Sequence, residues 1–210
     1  MDLTELRLRL MRTGLYEATA DPDPLRQFES WLRDATDAGL PLPGSMILAT
    51  VTETGGPTAR AVILRGLDER GFVWLTNYRS RKGHELAAKP QASLLFLWSP
   101  IERQVRVDGT VAKISDAESD DFYASRPLEV RLEAWASAQS QPVSDRSQLE
   151  AAMAEAEKRY GTDPPRPPHW GGYRLMPGSY EFWQGRDDRI HDRLLYTRKS
   201  ETWAIQRLAP

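Results

Sequence analysis

The spacing of apolar residues divides the chain into a helical beginning, followed by a centre and an end that are rich in strands. Two segments with helical spacing come first, Leu3 to Tyr16 and Leu25 to Ala38, and the turn-forming Asp21-Pro22-Asp23-Pro24 separates them. The apolar residues of the second segment recur at helical spacing on one face, formed by Phe28, Trp31, Leu32 and Ala35. We therefore expect two helices, the second with a face that packs on a core.

From Met46 the pattern changes to short β-branched or alternating runs separated by turn residues. These runs predict five strands: Met46 to Thr52, Thr58 to Leu64, Phe72 to Thr76, Ala92 to Trp98 and Val105 to Ile114. Four more strands are predicted near the end: Tyr173 to Met176, Tyr180 to Gln184, Arg189 to Arg198 and Trp203 to Leu208. Many short strands at close spacing are typical of an antiparallel sheet that closes into a small barrel.

Capping residues predict three further helices between the strands. They are Ser80 to just before Pro90, Ser115 to about Ser125, and Ser147 to about Tyr160. The chain has no internal repeat and no low-complexity segment, so residues 1–210 are expected to form a single domain.

The composition limits the kinds of partner that the protein can have. The 210 residues carry a formal net charge of -2, which predicts no extended basic surface for nucleic acid or an anionic membrane. No apolar run approaches the roughly 20 residues that span a bilayer, and the first residues lack the apolar core of a signal peptide. The chain has no cysteine, and His84, His169 and His191 lack metal-ligand spacing, so no metal site is expected. These features favour a soluble cytoplasmic protein.

Cationic residues stand at positions where their charge needs a partner. Arg81 and Lys82 begin a predicted helix, where cations oppose the helix dipole, and Arg60 lies inside a predicted strand. No acidic motif matches them, so converging cations favour a phosphorylated ligand. Two solvated charges at the helix start are the simpler alternative.

A second group of cations is predicted on one strand near the end of the chain. Alternation along an extended strand would place Arg189, His191 and Arg193 on the same face. Such groups repel one another unless something anionic or electron-rich lies against them. A solvated face of an edge strand is the alternative.

Six segments, in this order, resemble a known family. They are Arg60 to Leu64, Thr76 to Gly83, Glu102 to Val105, Ala134 to Ser140, His169 to Arg174 and Glu181 to Arg193. Together they are similar to the pyridoxine/pyridoxamine 5'-phosphate oxidases over roughly residues 24 to 210. The resemblance implies an α+β fold, mainly an antiparallel FMN-binding split β-barrel with flanking helices. It also implies a homodimer that holds FMN between its subunits, with residues 1–24 as a candidate mobile lid.

The resemblance further implies roles for individual residues. Arg60, Arg81 and Lys82 would hold the FMN phosphate, with Thr76 beside them. Further flavin-contacting positions are Gln104, Gln139, Ser140, Trp183 and Arg193, although Trp183 taken alone fits a core position as well. Arg189 and His191 match the residues that hold the substrate ring against the flavin. The implied reaction oxidises pyridoxine 5'-phosphate or pyridoxamine 5'-phosphate with O2 to pyridoxal 5'-phosphate and H2O2.

The positions expected at the substrate's own phosphate depart from the family. The chain has Arg65 where the family has lysine, Phe122 in place of tyrosine and Val130 in place of serine, and only Arg126 is retained. Two lost donors to a charged phosphate amount to roughly 3 to 6 kcal/mol. Three interpretations stay open: an oxidase that forms pyridoxal phosphate with a rebuilt phosphate pocket, a related FMN oxidase of another reduced ring, as in phenazine biosynthesis, and a non-catalytic flavin-binding barrel.

Overall fold

The structure is a computed structural model that describes residues 2–210, and this part of the chain forms six α-helices and nine β-strands. The helices are α1 (Leu3–Thr13), α2 (Pro24–Asp37), α3 (Arg81–Ala88), α4 (Asp116–Ala124), α5 (Leu128–Ala136) and α6 (Arg146–Tyr160). The strands are β1 (Ser45–Val51), β2 (Pro57–Ile63), β3 (Gly66–Asp68), β4 (Gly71–Asn77), β5 (Gln91–Trp98), β6 (Arg103–Lys113), β7 (Trp170–Gln184), β8 (Asp192–Lys199) and β9 (Thr202–Arg207). No helix within residues 2–210 is both long enough and apolar enough to cross a membrane.

The strands pair antiparallel in one curled sheet, which confirms the predicted α+β fold, mainly an antiparallel split β-barrel with flanking helices. The order along the sheet is β2-β1-β5-β6-β7-β4-β3, and β8 joins β7 to β9. The long strand β7 connects the two parts, because its first half pairs with β4 and its second half pairs with β8. Both halves pair with β6, with a register shift at Asp108/Gly109.

Helix α2 covers the core side of this sheet with the apolar face that its spacing predicted. Phe28 is fully buried, and its ring centroid lies 4.9 Å from that of Phe72 and 4.7 Å from that of Phe96. One turn further along, the Trp31 ring packs edge-on against Phe182 at 5.2 Å. The helix therefore joins strands from both parts of the sheet into one core.

The N-terminal segment is packed against the barrel. Leu6 and Leu10 on α1 are buried in the main core cluster. Beyond the helix, the backbone N–H of Leu15 donates to Asp192 Oδ2 at 2.9 Å, which ties the segment to the start of β8. This contact brings the described part of the N-terminal segment, residues 2–24, close to the predicted substrate-ring residues. Met1 of the predicted lid lies outside the described residues, and movement of the segment as a lid stays a prediction.

The end of the chain departs from the strand prediction. Arg189 has a φ of 64°, a left-handed conformation that a strand does not contain, and β8 begins only at Asp192. The prediction that Arg189, His191 and Arg193 share one strand face was therefore wrong. The acidic turn residues Asp187 and Asp188 explain the difference, because Asp188 Oδ1 accepts the backbone N–H of Ile190 at 2.9 Å and stabilises a turn.

Two helices also differ from their predicted form. The N-cap of α6 is Asp145, not Ser147, and its side chain accepts the backbone N–H of Gln148. Helix α5 was not predicted, because Pro127 stands at its N-cap position and offers no side-chain cap. Its short length, with only Leu132 and Ala134 buried, gives a weak apolar pattern.

Candidate active site

A cleft of about 320 Å³ opens between strands β2 and β4, the start of α3 and one face of α5. Seven of the predicted cofactor and substrate residues line it: Arg60, Arg65, Thr76, Lys82, Arg126, Val130 and Gln139. Its other walls come mainly from apolar side chains, among them Val62, Ile63, Leu75 and Trp170. Apolar walls combined with convergent polar groups in a concave cleft are typical of a small-molecule site.

Lys82 lies at the centre of a polar cluster at one end of the cleft. Its Nζ donates to Gln139 Oε1 at 2.8 Å and to Thr76 Oγ1 at 3.1 Å. The N-cap Ser80 accepts the backbone N–H of Gly83 and so fixes the start of α3 beside the cluster. Burial lowers the pKa of Lys82, and the nearby Arg60 lowers it further. An anion at this end would offset both effects, as a phosphate group does.

Glu85 is the partner that the sequence analysis did not find for the arginines. Its Oε2 accepts from Arg60 Nη2 at 2.9 Å, and its Oε1 accepts from Arg81 Nε at 3.0 Å. The expectation that no acidic group matches these cations was therefore wrong. Arg81 stands four residues before Glu85 in the same helix, a spacing that brings the two side chains together and could have indicated the pair.

The Glu85 carboxylate is held strongly in its charged form. Burial by itself raises the pKa of Glu85, but hydrogen bonds from Thr50, Thr58 and Arg81 outweigh this effect and hold the pKa at about 2. The ion pairs orient Arg60 and Arg81 and remove one of the three positive charges contributed by Arg60, Arg81 and Lys82. The cluster keeps a net positive charge, which suits it to a phosphate dianion.

Arg81 and Ser140 do not line this cleft. Both line a neighbouring recess on the other side of Glu85. Ser140 has a φ of 72°, so it marks a sharp turn in the loop that follows α5. The structure thus brings Arg60, Thr76, Lys82 and Gln139 together and leaves these two predicted residues beside them.

Three of the four residues expected at the substrate's phosphate line the same cleft. Arg65 and Arg126 lie close enough that Arg126 adds to the burial that lowers the pKa of Arg65. The Nε of Arg126 is buried and has no hydrogen-bond partner within residues 2–210. An unpaired buried donor of this kind is costly unless a ligand accepts from it. Phe122 does not line the cleft, and its ring packs at Gly66.

The remaining predicted residues lie in a second group on strands β6 to β8. Cross-strand pairing places Gln104 opposite Trp183, and Trp183 opposite Arg193, so the three side chains form one row across the sheet. Arg193 donates to Glu181 Oε1 from Nη2 at 2.7 Å and from Nε at 2.9 Å. The buried Glu181 therefore fixes the direction of the Arg193 guanidinium.

His191 joins this row from the turn before β8. Its ring centroid lies 4.9 Å from that of Trp183. The backbone N–H of Arg186 donates to His191 Nδ1 at 3.1 Å, so the neutral ring carries its proton on Nε2. Arg189 is exposed in the same turn. The two predicted substrate-ring residues are thus neighbours in a turn, with one ring nitrogen of His191 left as a hydrogen-bond donor.

The two groups lie on opposite faces of the sheet. Arg60 pairs with Leu48, and the same row continues through the buried Leu94 and Val107. Gln104 is three residues from Val107 along β6, an odd separation that turns its side chain to the other face. A single flat ligand therefore cannot contact both groups of residues on one surface of one chain.

Comparison with known proteins assigns the family. Residues 32–160 match the model described as pyridoxamine 5'-phosphate oxidase. Residues 170–210 match the pyridoxine 5'-phosphate oxidase C-terminal dimerisation region. A pyridoxine/pyridoxamine 5'-phosphate oxidase of Burkholderia cenocepacia (strain HI2424) is 56% identical over 211 residues, covering 99% of each chain. That of Paraburkholderia phytofirmans (strain DSM 17436 / LMG 22146 / PsJN) is 57% identical over 210 residues, with the same coverage.

Solved structures agree with this assignment. PhzG from Burkholderia lata 383, in complex with tetrahydrophenazine-1-carboxylic acid, is 33% identical with a TM-score of 0.88, covering 93% of this chain and 98% of that one. A pyridoxamine 5'-phosphate oxidase-related, FMN-binding protein from Nostoc punctiforme PCC 73102 is 19% identical with a TM-score of 0.72, covering 90% of this chain and 100% of that one, and shows the same fold.

The fold and the cleft define an enzyme of the FMN-dependent split-barrel class. Within that class, the chain belongs to the pyridoxamine 5'-phosphate oxidase family, and its cofactor is FMN.

Replacing Glu85 by Gln tests the ion-pair cluster at the phosphate end. Because the folded-state pKa of about 2 lies below the ordinary value of 4.5, this group stabilises the fold above pH 4.5 and loses its contribution as the pH falls towards 2. We expect the variant to lose up to about 3 kcal/mol of unfolding free energy at pH 7, and to show a flatter decline between pH 5 and pH 2. Urea unfolding across this range measures both effects. The control Glu157→Gln, at an exposed position on α6, should follow the native curve, and parallel native and Glu85→Gln curves would contradict the prediction.

Proposed function

We propose that the protein is an FMN-dependent oxidase that converts pyridoxine 5'-phosphate or pyridoxamine 5'-phosphate, with O2, to pyridoxal 5'-phosphate and H2O2. The observation that carries this proposal is a single cleft with two cationic ends, Arg60 with Lys82 at one and Arg65 with Arg126 at the other. Two such ends fit two phosphate groups, that of FMN and that of the substrate. The name shared by relatives 56% identical over nearly the whole chain supports the same substrates.

The phosphate of FMN would lie at the Lys82 end. Lys82, Thr76 and Gln139 present polar atoms within hydrogen-bond distance of one another, and Arg60 is oriented by Glu85 beside them. Gln104, Trp183 and Arg193 would contact the rest of the cofactor. Bound FMN supplies the two-electron oxidation of the substrate and the reduction of O2.

The side chains of this protein then position the substrate. Arg65 and Arg126 would bind its phosphate, and the orphan Nε of Arg126 is one donor available to it. His191, whose ring lies against Trp183, would hold the pyridine ring, with its Nε2 proton available to a ring substituent. Arg189, in the exposed turn, would cover the ring from the outside. Positioning of this kind is the main contribution that a protein makes to cofactor chemistry.

We further propose that a homodimer completes the site, with the two groups of one FMN site coming from different subunits. Their location on opposite faces of the sheet supports this arrangement. The outer face also exposes apolar side chains that a second copy could cover, including Ile47, Ile63 and Leu97. The match of residues 170–210 to a dimerisation region supports the same conclusion.

A second candidate function is the oxidation of a different reduced ring. Val130 lines the substrate end and offers no hydrogen-bond donor, and Phe122 is turned away from the cleft. PhzG, a structural neighbour at 33% identity, holds a carboxylated ring that carries no phosphate. This candidate differs from the first in the anionic group of the substrate and keeps FMN and the site described above.

The oxidase activity is tested on the purified protein. We expect a yellow flavin spectrum, and H2O2 with pyridoxal 5'-phosphate after addition of pyridoxine 5'-phosphate in air. Bound FMN without any reaction on either phosphorylated substrate would contradict the first candidate. Turnover of a reduced phenazine carboxylate under the same conditions would then support the second. Turnover of neither ring by the FMN-loaded protein would favour a flavin-binding barrel without catalysis.

Replacing Lys82 by Met tests the placement of the FMN phosphate. A hydrogen bond to a charged group is worth about 1.5–3 kcal/mol, so the FMN dissociation constant should rise about tenfold to hundredfold. Quenching of FMN fluorescence during titration of the apoprotein measures it. The matched control is Lys89→Met at the other end of α3, which should bind FMN as the native protein does. Equal affinity of the native and Lys82→Met proteins would rule out this placement.

Replacing Leu97 by Glu tests the proposed homodimer. Leu97 is 57% exposed and shares the outer row with Gln104 and Trp183, so a charge there leaves the core of the chain intact. We expect a monomer in size-exclusion chromatography with light scattering, together with weaker FMN binding. Leu149→Glu, at an exposed position on α6, is the control and should stay dimeric. A dimeric Leu97→Glu variant with native FMN affinity would contradict the proposed interface.

A further inference from the structure

The cleft contains one acidic side chain, Glu133, among its cations, and no pattern in the sequence indicated it. Helix α5 turns Val130, Glu133 and Ala134 towards the cleft at the helical spacing i, i+3 and i+4. Residues three apart on a helix have Cβ atoms about 5–6 Å apart. Glu133 therefore lies beside Val130, one of the positions expected at the substrate's phosphate.

The Glu133 carboxylate is not used by the fold. Within residues 2–210 it accepts no side-chain or backbone hydrogen bond and forms no ion pair. The Glu133 side chain is exposed to solvent, and the part of it that enters the cleft is desolvated enough to raise its pKa. Glu85 at the other end of the cleft differs in this respect, because ion pairs to Arg60 and Arg81 occupy its oxygens. A free carboxylate acts directly on the charge of whatever ligand enters.

The arginines at the same end are also not neutralised by the protein. Neither Arg65 nor Arg126 forms an ion pair within residues 2–210, and the Nε of Arg126 has no acceptor. The two arginines contribute two positive charges and Glu133 contributes one negative charge. The substrate end thus carries a net charge of about +1, which matches a monoanion better than a phosphate dianion.

We propose that Glu133 is a specificity-determining residue, which disfavours a dianionic phosphate relative to a monoanionic carboxylate at the Arg65 and Arg126 end of the cleft. This inference rests on the proposed function, because it assumes that the anionic group of the substrate binds there. Coulomb repulsion grows in proportion to the charge of the ligand, so Glu133 opposes a phosphate dianion twice as strongly as a carboxylate. The loss of donors at Val130 acts in the same direction.

Charge removal without change of shape tests the proposal. Dissociation constants of pyridoxal 5'-phosphate and of nicotinate, a pyridine carboxylate, are measured by calorimetry on FMN-loaded protein at pH 8 and low salt. For Glu133→Gln we expect pyridoxal 5'-phosphate to bind about tenfold more tightly. Nicotinate should bind only about threefold more tightly, because its single charge is repelled by Glu133 half as strongly as the phosphate dianion. Salt at 0.5 M should reduce both changes, because the Debye length falls below 10 Å.

Glu129→Gln is the matched control, since it removes the same charge from an exposed position on the same helix that does not line the cleft. The proposal is overturned if Glu129→Gln has the same effect, if Glu133→Gln changes both ligands equally, or if it changes neither. Absence of measurable binding of both ligands to every variant would overturn it as well. These binding measurements need no turnover. An FMN-loaded protein that fails to oxidise pyridoxine 5'-phosphate would therefore contradict the proposed function and leave the test of Glu133 unaffected.

Discussion

The two-residue alternation of β-strand side chains is the constraint on which the site depends. On β6, Val105 and Val107 enter the core, so Gln104 and Arg106 must face outwards. The same rule places Arg60 on the core side of β2, at the rim where α3 brings Lys82 to it. Shifting the register by one residue would exchange core and surface on a whole strand. The core therefore fixes which predicted cofactor residues share a face.

This division explains why the predicted cofactor residues fall into two groups in one chain. The group at the cleft includes Arg60, Lys82 and Gln139, and the group on the outer face includes Trp183 and Arg193. The proposed dimer, by covering the exposed apolar residues of the outer face, would bring such groups from two chains towards each other. Cofactor binding and subunit association would then depend on the same surface.

The charged side chains at the two ends of the cleft differ in their ion-pair partners. At the Lys82 end, Glu85 accepts from Arg60 and Arg81 and holds their side chains in place before any ligand binds. A site that is ordered in advance loses less conformational entropy on binding. At the other end, Arg65, Arg126 and Glu133 have no such partners within residues 2–210. This difference agrees with the proposal that the first end holds the cofactor phosphate and the second end binds the substrate.

Local patterns along the chain were enough to predict most of the helices and strands, the α+β barrel and the family, because apolar periodicity, capping residues and ordered motifs are properties of short segments. The sequence identified seven of the residues that line the cleft, Arg60 and Lys82 from their charge and the other five only through the resemblance. It did not find the Arg60–Glu85 pair, which joins residues 25 positions apart, or helix α5, whose start lacks a side-chain cap. It also misread Arg189, because a turn set by Asp188 interrupts the strand pattern. Which charges are neutralised, which charged groups line the cleft without an ion-pair partner among residues 2–210, and which face each residue occupies all depend on contacts between distant segments, so they follow from the folded structure alone.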